Sequence, residues 1–383
     1  MECPICRHQD PHFFLQKKEQ ICCRICLQYQ YPIAKIPPKR PPKRVTPIYP
    51  HPLTLEQQQL SNQILHGPQE MYISAVCGAG KTEATYAAIA VSVQQGKRVG
   101  FAVPRRELVL ELGSRLQAAF PKLAVTLVYG GHSHALDGDI IALTTHQIAR
   151  YQGKFGLLIL DEYDAFPFHK NASLLGYARL STAGRALYLS ATFSKTVIKN
   201  HAVATLNRRH HGVPIPIPKV IVGYTPGLIQ ALKRFLQHHL SLQHPVIIYV
   251  PTRRRAEQLG KILQMIHADT LILHSQSLLR EQVFRMAQMG RFSWLVSTSI
   301  LERGITIDGL QVVIWEANHP IYDEATLTQM VGRVGRTVEH SFGEVMMLSQ
   351  TQSVAMMNVV KELKQLYESM LDLWEDSAGT SFS

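Results

Sequence analysis

Residues 71–96 read MYISAVCGAGKTEATYAAIAVSVQQG. MYISAV is an apolar run with aromatic and β-branched members, which predicts a buried strand. ATYAAIAVSVQQG is small and apolar, and it stops at Gly96, which predicts a helix. The turn between them approaches G-x-x-x-x-G-K-[ST], with Ala75 where the leading glycine usually stands. Gly78 and Gly80 can still turn backbone amides toward an anion, and the helix N-terminus that follows favours negative charge. Cys77, Gly78, Ala79, Gly80, Lys81, Thr82 and Glu83 therefore form a candidate nucleotide-binding loop. Lys81 would reach the β- and γ-phosphates and Thr82 would hold Mg²⁺. Cys77 has the role of a small loop residue. Glu56 and Gln57 lie in a segment that could contact adenine.

Outward from this loop the chain alternates short apolar runs with amphipathic stretches. RVGFAV, FGLLIL and ALYLSAT come first; PVIIYVPT, DTLILHS, WLVSTS, QVVIW and GEVMMLS follow later. Between the two sets, Leu228, Leu232, Phe235 and Leu236 share one helical face. Such alternation predicts α/β domains built on parallel sheets covered on both sides. The proline-rich stretch RRHHGVPIPIPKV marks a joint. The expected organisation is residues 53–207 as a first domain, 208–219 as a linker and 220–350 as a second domain. Residues 351–383 are expected to begin as an amphipathic helix covering the second domain and to end as a polar tail.

The chain has 383 residues, a formal net charge of +12 and 46% hydrophobic residues, enough for two cores and inconsistent with wholesale disorder. The charge points to a polyanionic partner. Residues 1–52 carry nine Lys/Arg against three Asp/Glu, half of the excess. Within them, YPIAKIPPKRPPKRVTPIYPHP (32–52, with Tyr31 before it) cannot be helix or central strand, because proline removes donors and fixes φ. It predicts an extended basic tether, about 60 Å long as polyproline II, either passive or lying along phosphates. No run approaches the ~18 apolar residues that span a bilayer, and no apolar signal core leads the chain. That predicts a cytoplasmic protein whose membrane association comes through a partner.

LLILDEYD ends an apolar strand in Asp161 and Glu162. At a strand tip, Asp161 can hold Mg²⁺ and Glu162 can orient or deprotonate an attacking water. QMVGRVGR carries Gln329, Arg333 and Arg336, with the arginines three apart, so that both can face one side of a short helix and neutralise charge on a γ-phosphate. At the N-terminus, CPIC and CRIC give Cys3, Cys6, Cys23 and Cys26, a C-x₂-C…C-x₂-C pattern suited to a structural tetrahedral Zn²⁺ in a module spanning residues 1–31. Cys23 is favoured over Cys22 because it repeats the two-residue turn. The pairs His210/His211 and His238/His239 lack ligand spacing and are expected to be solvated.

These motifs, in this order over most of residues 53–350, resemble a superfamily 2 helicase or translocase with two tandem RecA-like domains. PRRELVLEL resembles motif Ia, TTHQ motif Ib, SAT motif III, IIYVPT motif IV and STSILERGITI motif V. The resemblance implies nucleic-acid backbone contacts from Arg105, Thr145, His146, Thr252 and Thr298, with Ser190 and Thr192 linking hydrolysis to grip. DEYDAFP and TTHQ behind a cysteine module resemble the ComFA family of competence ATPases, over essentially the whole chain. That resemblance implies a single-stranded-DNA-stimulated ATPase at the cytoplasmic face of a DNA-uptake channel, using ATP, Mg²⁺ and Zn²⁺ and associating with competence proteins such as a ComFC-like partner. Two alternatives are a PriA-like replication-restart helicase, although PriA is longer and carries its zinc cysteines within the helicase region, and a nucleic-acid-binding module without turnover.

Overall fold

The computed structural model describes residues 2–17, 20–29, 31–76, 78–163, 167–168, 171–191, 199, 201–206, 208–277, 279–301, 307–337 and 339–379. The chain forms two compact units, 1–210 and 211–383.

The first unit begins with an antiparallel hairpin, β1 (Phe14–Lys17) and β2 (Gln20–Cys23). A seven-stranded sheet follows: β3 (Glu70–Ala75), β4 (Arg98–Val103), β5 (Val125–Val128), β6 (Ile140–Thr144), β7 (Phe155–Leu160), β8 (Thr182–Ser190) and β9 (Val203–Leu206). All its pairings are parallel, in the order β5-β6-β4-β7-β8-β3-β9. Every residue of β4 and β6 is buried, which is why RVGFAV is unbroken by polar alternation. The second unit holds β10 (Lys219–Val222), β11 (Val246–Tyr249), β12 (Thr270–Leu273), β13 (Trp294–Ser297), β14 (Gln311–Trp315) and β15 (Val345–Ser349). It too is parallel, in the order β10-β15-β14-β11-β13-β12. Leu228, Leu232 and Leu236 of the helix Thr225–Ser241 are buried on it, with Phe235 half-buried beside them. At the C-terminus, the helix Val354–Gly379 buries Met356, Val359 and Leu363. Among the described residues, no helix is long and apolar enough to cross a membrane.

Two expectations need correction. His239 is not solvated: it is 2% exposed, its ring centroid lies 4.3 Å from that of Phe235, and burial pushes its pKa down to about 4. His210 and His211 are half-buried, with His210 Nδ1 3.4 Å from the Gly78 carbonyl and His211 Nε2 3.0 Å from that of Gly335.

The basic proline-rich segment is extended, as its composition requires, yet it is not free. Backbone N–H groups of Ala34, Arg40, Lys43 and Ile48 donate to the carbonyls of Arg150, Gly96, Val93 and Ala119. The segment is a strap along the first unit. Its charges explain the fit: Arg40 pairs with Asp137 and Asp139, each at 2.7 Å, and Lys43 pairs with Asp139 at 2.6 Å. Arg98, 1% exposed at the head of β4, reaches Asp137 at 2.5 Å and donates to the Pro37 carbonyl at 3.1 Å. Burial alone would raise the Asp139 pKa; the Lys43 ammonium, the Ala124 N–H and the Arg40 guanidinium together outweigh it and hold the group below the usual carboxylate range.

Because the folded-state pKa is depressed, the stabilisation from Asp139 is present at neutral pH and is lost as pH falls through that lowered value. Asp139→Ala leaves Lys43 and the Ala124 N–H without their acceptor and Arg40 with Asp137 alone. Allowing for the partial exposure of both cations, the loss expected is about 2–3 kcal/mol. Urea unfolding at pH 7 checks this, and repetition near pH 3 should show a smaller difference between wild type and variant.

Candidate functional site

Parallel strands deliver their C-terminal loops to one edge, and the first unit uses that edge for chemistry. β3 leads into the glycine-rich loop. Gly78 and Gly80 both hold positive φ, +83° and +79°, and Gly80 caps the short helix Lys81–Ala84. A side chain at Gly80 would also collide with Gln57 Nε2, 2.1 Å from where its Cβ would stand. Gln57 is a buttress: its side chain donates to the Ala79 carbonyl at 2.8 Å and accepts from Thr54 N–H at 2.9 Å, the latter part of a capping box that starts the helix Leu55–His66. Its neighbour Glu56 lies 3.5 Å from Arg208. Thr82 is buried at the loop's end, whereas the carboxylate of Glu83 is bound to Arg115 at 2.6 Å and ties the loop to the helix Arg106–Ala119. Cys77 lies outside the described residues.

β7 emerges at the same edge, one strand away across β8. There the Lys81 ammonium meets Asp161 Oδ1 at 2.6 Å, joining the loop to the carboxylate pair. Burial pushes Asp161 above the ordinary carboxylate range; Lys81 opposes the shift and Glu162 reinforces it. Glu162 is 9% exposed and adopts φ +56°, a left-handed conformation uncommon for a residue with a side chain. Strain of about 1–3 kcal/mol at such a position is tolerated where the surroundings over-determine it. This arrangement can hold a phosphate chain, a divalent cation and a water with a base beside it.

The remaining expected residues are scattered in role. Thr145 is fully buried and its hydroxyl donates to the Val103 carbonyl at 3.1 Å, so its side chain packs the site rather than facing solvent. Arg105 is half-buried at the start of Arg106–Ala119, and His146 is half-buried on the 3₁₀ turn Thr145–Arg150, where burial lowers its pKa. Ser190 ends β8 with no exposure; Thr192 lies outside the described residues. In the second unit, Thr252 is exposed and caps the helix Arg253–Ile266 through Arg255 N–H, and Thr298 is half-buried after β13. Gln329 is buried on the helix Glu324–Val331. That helix stops at Gly332, so Arg333 and Arg336 sit in the turn after it and not on one side of a helix. Arg333 is 3% exposed, and Arg336 Nε donates to the Gly332 carbonyl at 2.8 Å.

The cysteine module brings Cys3, Cys6, Cys23 and Cys26 together, with their sulfurs all within 4.8 Å of one another. Cys3 and Cys26 are 3.7 Å apart and Cys6 and Cys23 3.6 Å, too far for disulfides. A tetrahedral ion with Zn–S bonds near 2.3 Å requires about 3.8 Å between sulfurs. The donor set therefore fits Zn²⁺. Cys22 takes the other face of β2 and stands outside the cluster.

Residues 54–200 match the DEAD/DEAH box helicase family model and residues 227–338 the helicase conserved C-terminal domain. The solved structures with this fold include S. cerevisiae Dbp5 bound to RNA and ADP BeF3, with a TM-score of 0.64 and 19% identity over 82% of this chain and 88% of that one. The Mycobacterium smegmatis helicase Lhr bound to ssDNA and AMP-PNP gives the same TM-score and identity, over 82% and 48%. Competence protein ComFA of Bacillus subtilis (strain 168) is 31% identical over 335 residues, 82% of this chain and 72% of the relative. Its counterpart from Streptococcus pneumoniae (strain ATCC BAA-255 / R6) is 30% identical, over 82% and 77%. Similarity of this extent to the competence proteins, with both helicase domains in tandem, places the chain in the ComFA family as an ATP-hydrolysing helicase with two RecA-like domains.

Proposed function

We propose that the chain is a motor that moves along single-stranded DNA at the expense of ATP and serves the uptake of transforming DNA. The observation that carries the hydrolytic half is the Lys81–Asp161 contact with Glu162 beside it at one sheet edge. The similarity to two competence proteins supports the uptake half.

In this reading the backbone amides around Gly78–Gly80 cradle the phosphates, and Lys81 exchanges its bond to Asp161 for the β- and γ-phosphate oxygens. Thr82 and Asp161 would hold Mg²⁺, which when bound would supply positive charge against the phosphates. Glu162 takes a proton from the attacking water; its strained backbone fixes the carboxylate at the strand tip. Gln329, Arg333 and Arg336 act on the nucleotide by virtue of their motif. Arg105, His146, Thr252 and Thr298 grip the phosphodiester backbone, Thr145 contributing through its main chain, with no reading of bases. Ser190 and Thr192 couple grip to hydrolysis. Zn²⁺ on Cys3, Cys6, Cys23 and Cys26 supplies a structural cross-link. A ComFC-like competence protein is the proposed partner, and it or the uptake channel provides any attachment to the membrane.

Lys81→Ala should lower kcat by about 10²–10³ through loss of charge stabilisation at the phosphates. Glu162→Gln should retain ATP binding and lose turnover by about 10²–10⁴. Steady-state hydrolysis and fluorescent-nucleotide titration separate the two, and undiminished turnover in Glu162→Gln would remove that residue from the chemistry.

Single-stranded DNA should stimulate hydrolysis several-fold irrespective of sequence, with half-stimulating concentration rising steeply with salt as counterions are released. Assays with single-stranded DNA, duplex DNA and RNA of equal length decide the substrate. RNA stimulating as well as DNA would turn the assignment toward an RNA helicase.

Elemental analysis should find close to one zinc per chain in wild type and in Cys22→Ser, and far less in Cys23→Ser. The reverse pattern would exchange the two cysteines and leave a metal site in place.

A further inference from the structure

The two cysteine knuckles do not stand apart from the ATPase domain. Cys3, Cys23, Cys26 and Tyr29 share a buried apolar cluster with Tyr72, Leu158, Leu160 and Tyr188 of the first sheet. They touch one face of the helix Ala172–Ser181. Cys26 Sγ lies 3.5 Å from Ser173 Oγ, and the Tyr177 hydroxyl donates to the Cys26 carbonyl at 3.3 Å. Gly176 receives the other knuckle: a Cβ there would stand 2.0 Å from the carbonyl oxygen of Ile5, which lies between Cys3 and Cys6. Positions 173, 176 and 177 are spaced i, i+3 and i+4, so a single helical stripe serves both knuckles. A glycine inside a helix costs about 1 kcal/mol relative to alanine. Here it admits the backbone of a metal knuckle.

The contact continues past the cysteines. Tyr29 places its ring centroid 5.7 Å from that of His146, and its hydroxyl accepts from Asn171 Nδ2 at 2.8 Å. Asn171 is also the N-cap of the same helix, accepting from Leu174 N–H at 3.1 Å. Along the chain this helix lies between the loop that carries Asp161 and Glu162 and the strand that ends in Ser190.

We propose that Ser173 completes the metal site from outside its ligand set and that the metal-loaded knuckles brace the helix Ala172–Ser181, making metal occupancy a condition for order in that helix. A thiolate that keeps its charge on a cation needs hydrogen-bond donors, and Ser173, 1% exposed, is placed to give one to Cys26. With the metal gone, the two knuckles lose their cross-link, and the helix loses the surface against which Ser173, Gly176 and Tyr177 pack. The inference rests on reading the four cysteines as a zinc site.

The full-length protein tests it without recourse to activity. Zinc released to a chromogenic chelator should leave Ser173→Ala faster than wild type, on the order of tenfold, as loss of an outer-shell partner does elsewhere. Hydrogen exchange before and after chelation should show peptides of Ala172–Ser181 losing protection, while those of Arg106–Ala119 keep theirs. Zinc present in wild type, released at the same rate by Ser173→Ala, with unaltered exchange in Ala172–Ser181 on chelation, would overturn the brace while leaving the zinc site intact. Wild type purified without zinc would instead remove the metal reading, and the brace with it.

Discussion

The contact between Lys81 and Asp161, 2.6 Å long, joins two loops eighty residues apart and depends on the whole first sheet being parallel. Only parallel strands send every outgoing loop to one edge. β3 and β7 flank β8, so the loop lysine and the strand-tip carboxylate meet across a single strand. A slip of one residue in either pairing would turn alternate side chains to the other face and separate them. Most of β7 and the last five residues of β8 are buried, so both loops leave a close-packed core. The chemistry at the edge is rigid because the core behind it is apolar on both faces.

Buttresses transmit that rigidity to the loop itself. Gln57 spends its amide on the Ala79 carbonyl and on its own helix cap, and Arg115 holds Glu83. Neither contact is visible in the glycine-rich motif, which names only the residues facing the ligand. Glu162 is a further case: its left-handed backbone lies in the turn directly after β7. A strand tip ending in two acids predicts their place; it does not predict the strain at the second.

What was legible in the sequence was what continuous burial or fixed spacing writes down. RVGFAV, FGLLIL and QVVIW correspond residue for residue to β4, β7 and β14, because strands covered on both sides need apolar side chains throughout. Three of the four edge strands of the parallel sheets, β5, β9 and β10, are only partly buried, each carry a polar residue and gave no such signal, whereas the fourth, β12, is read in DTLILHS. IIALT of β6 is fully buried, and nothing in its length or burial sets it apart from QVVIW. The cysteine spacing named four ligands that do converge, whereas their seat on Ser173 and Gly176 is a tertiary fact with no local trace. Arg98 is a clue of the same kind: a guanidinium heading a fully buried strand demands a carboxylate, and Asp137 in LDGDI supplies it.

The same network changes what the positive charge of the N-terminal segment can do. Counted along the sequence, residues 32–52 offer five cations to a polyanion. Arg40 and Lys43 are already paired with Asp137 and Asp139, within the fold, and their distances leave no room for a phosphate oxygen between the partners. Lys35, Lys39 and Arg44 remain exposed. For single strands each phosphate neutralised adds about 0.7 to the salt slope, so the strap can account for about 2 at most. A steeper dependence has to come from cations on the two sheets' loops. The segment's first physical task is then to close the surface of the first unit, with proline fixing its path and the three ion pairs of Arg40 and Lys43 fixing its register. Polyanion contact is an additional task for the three charges left over.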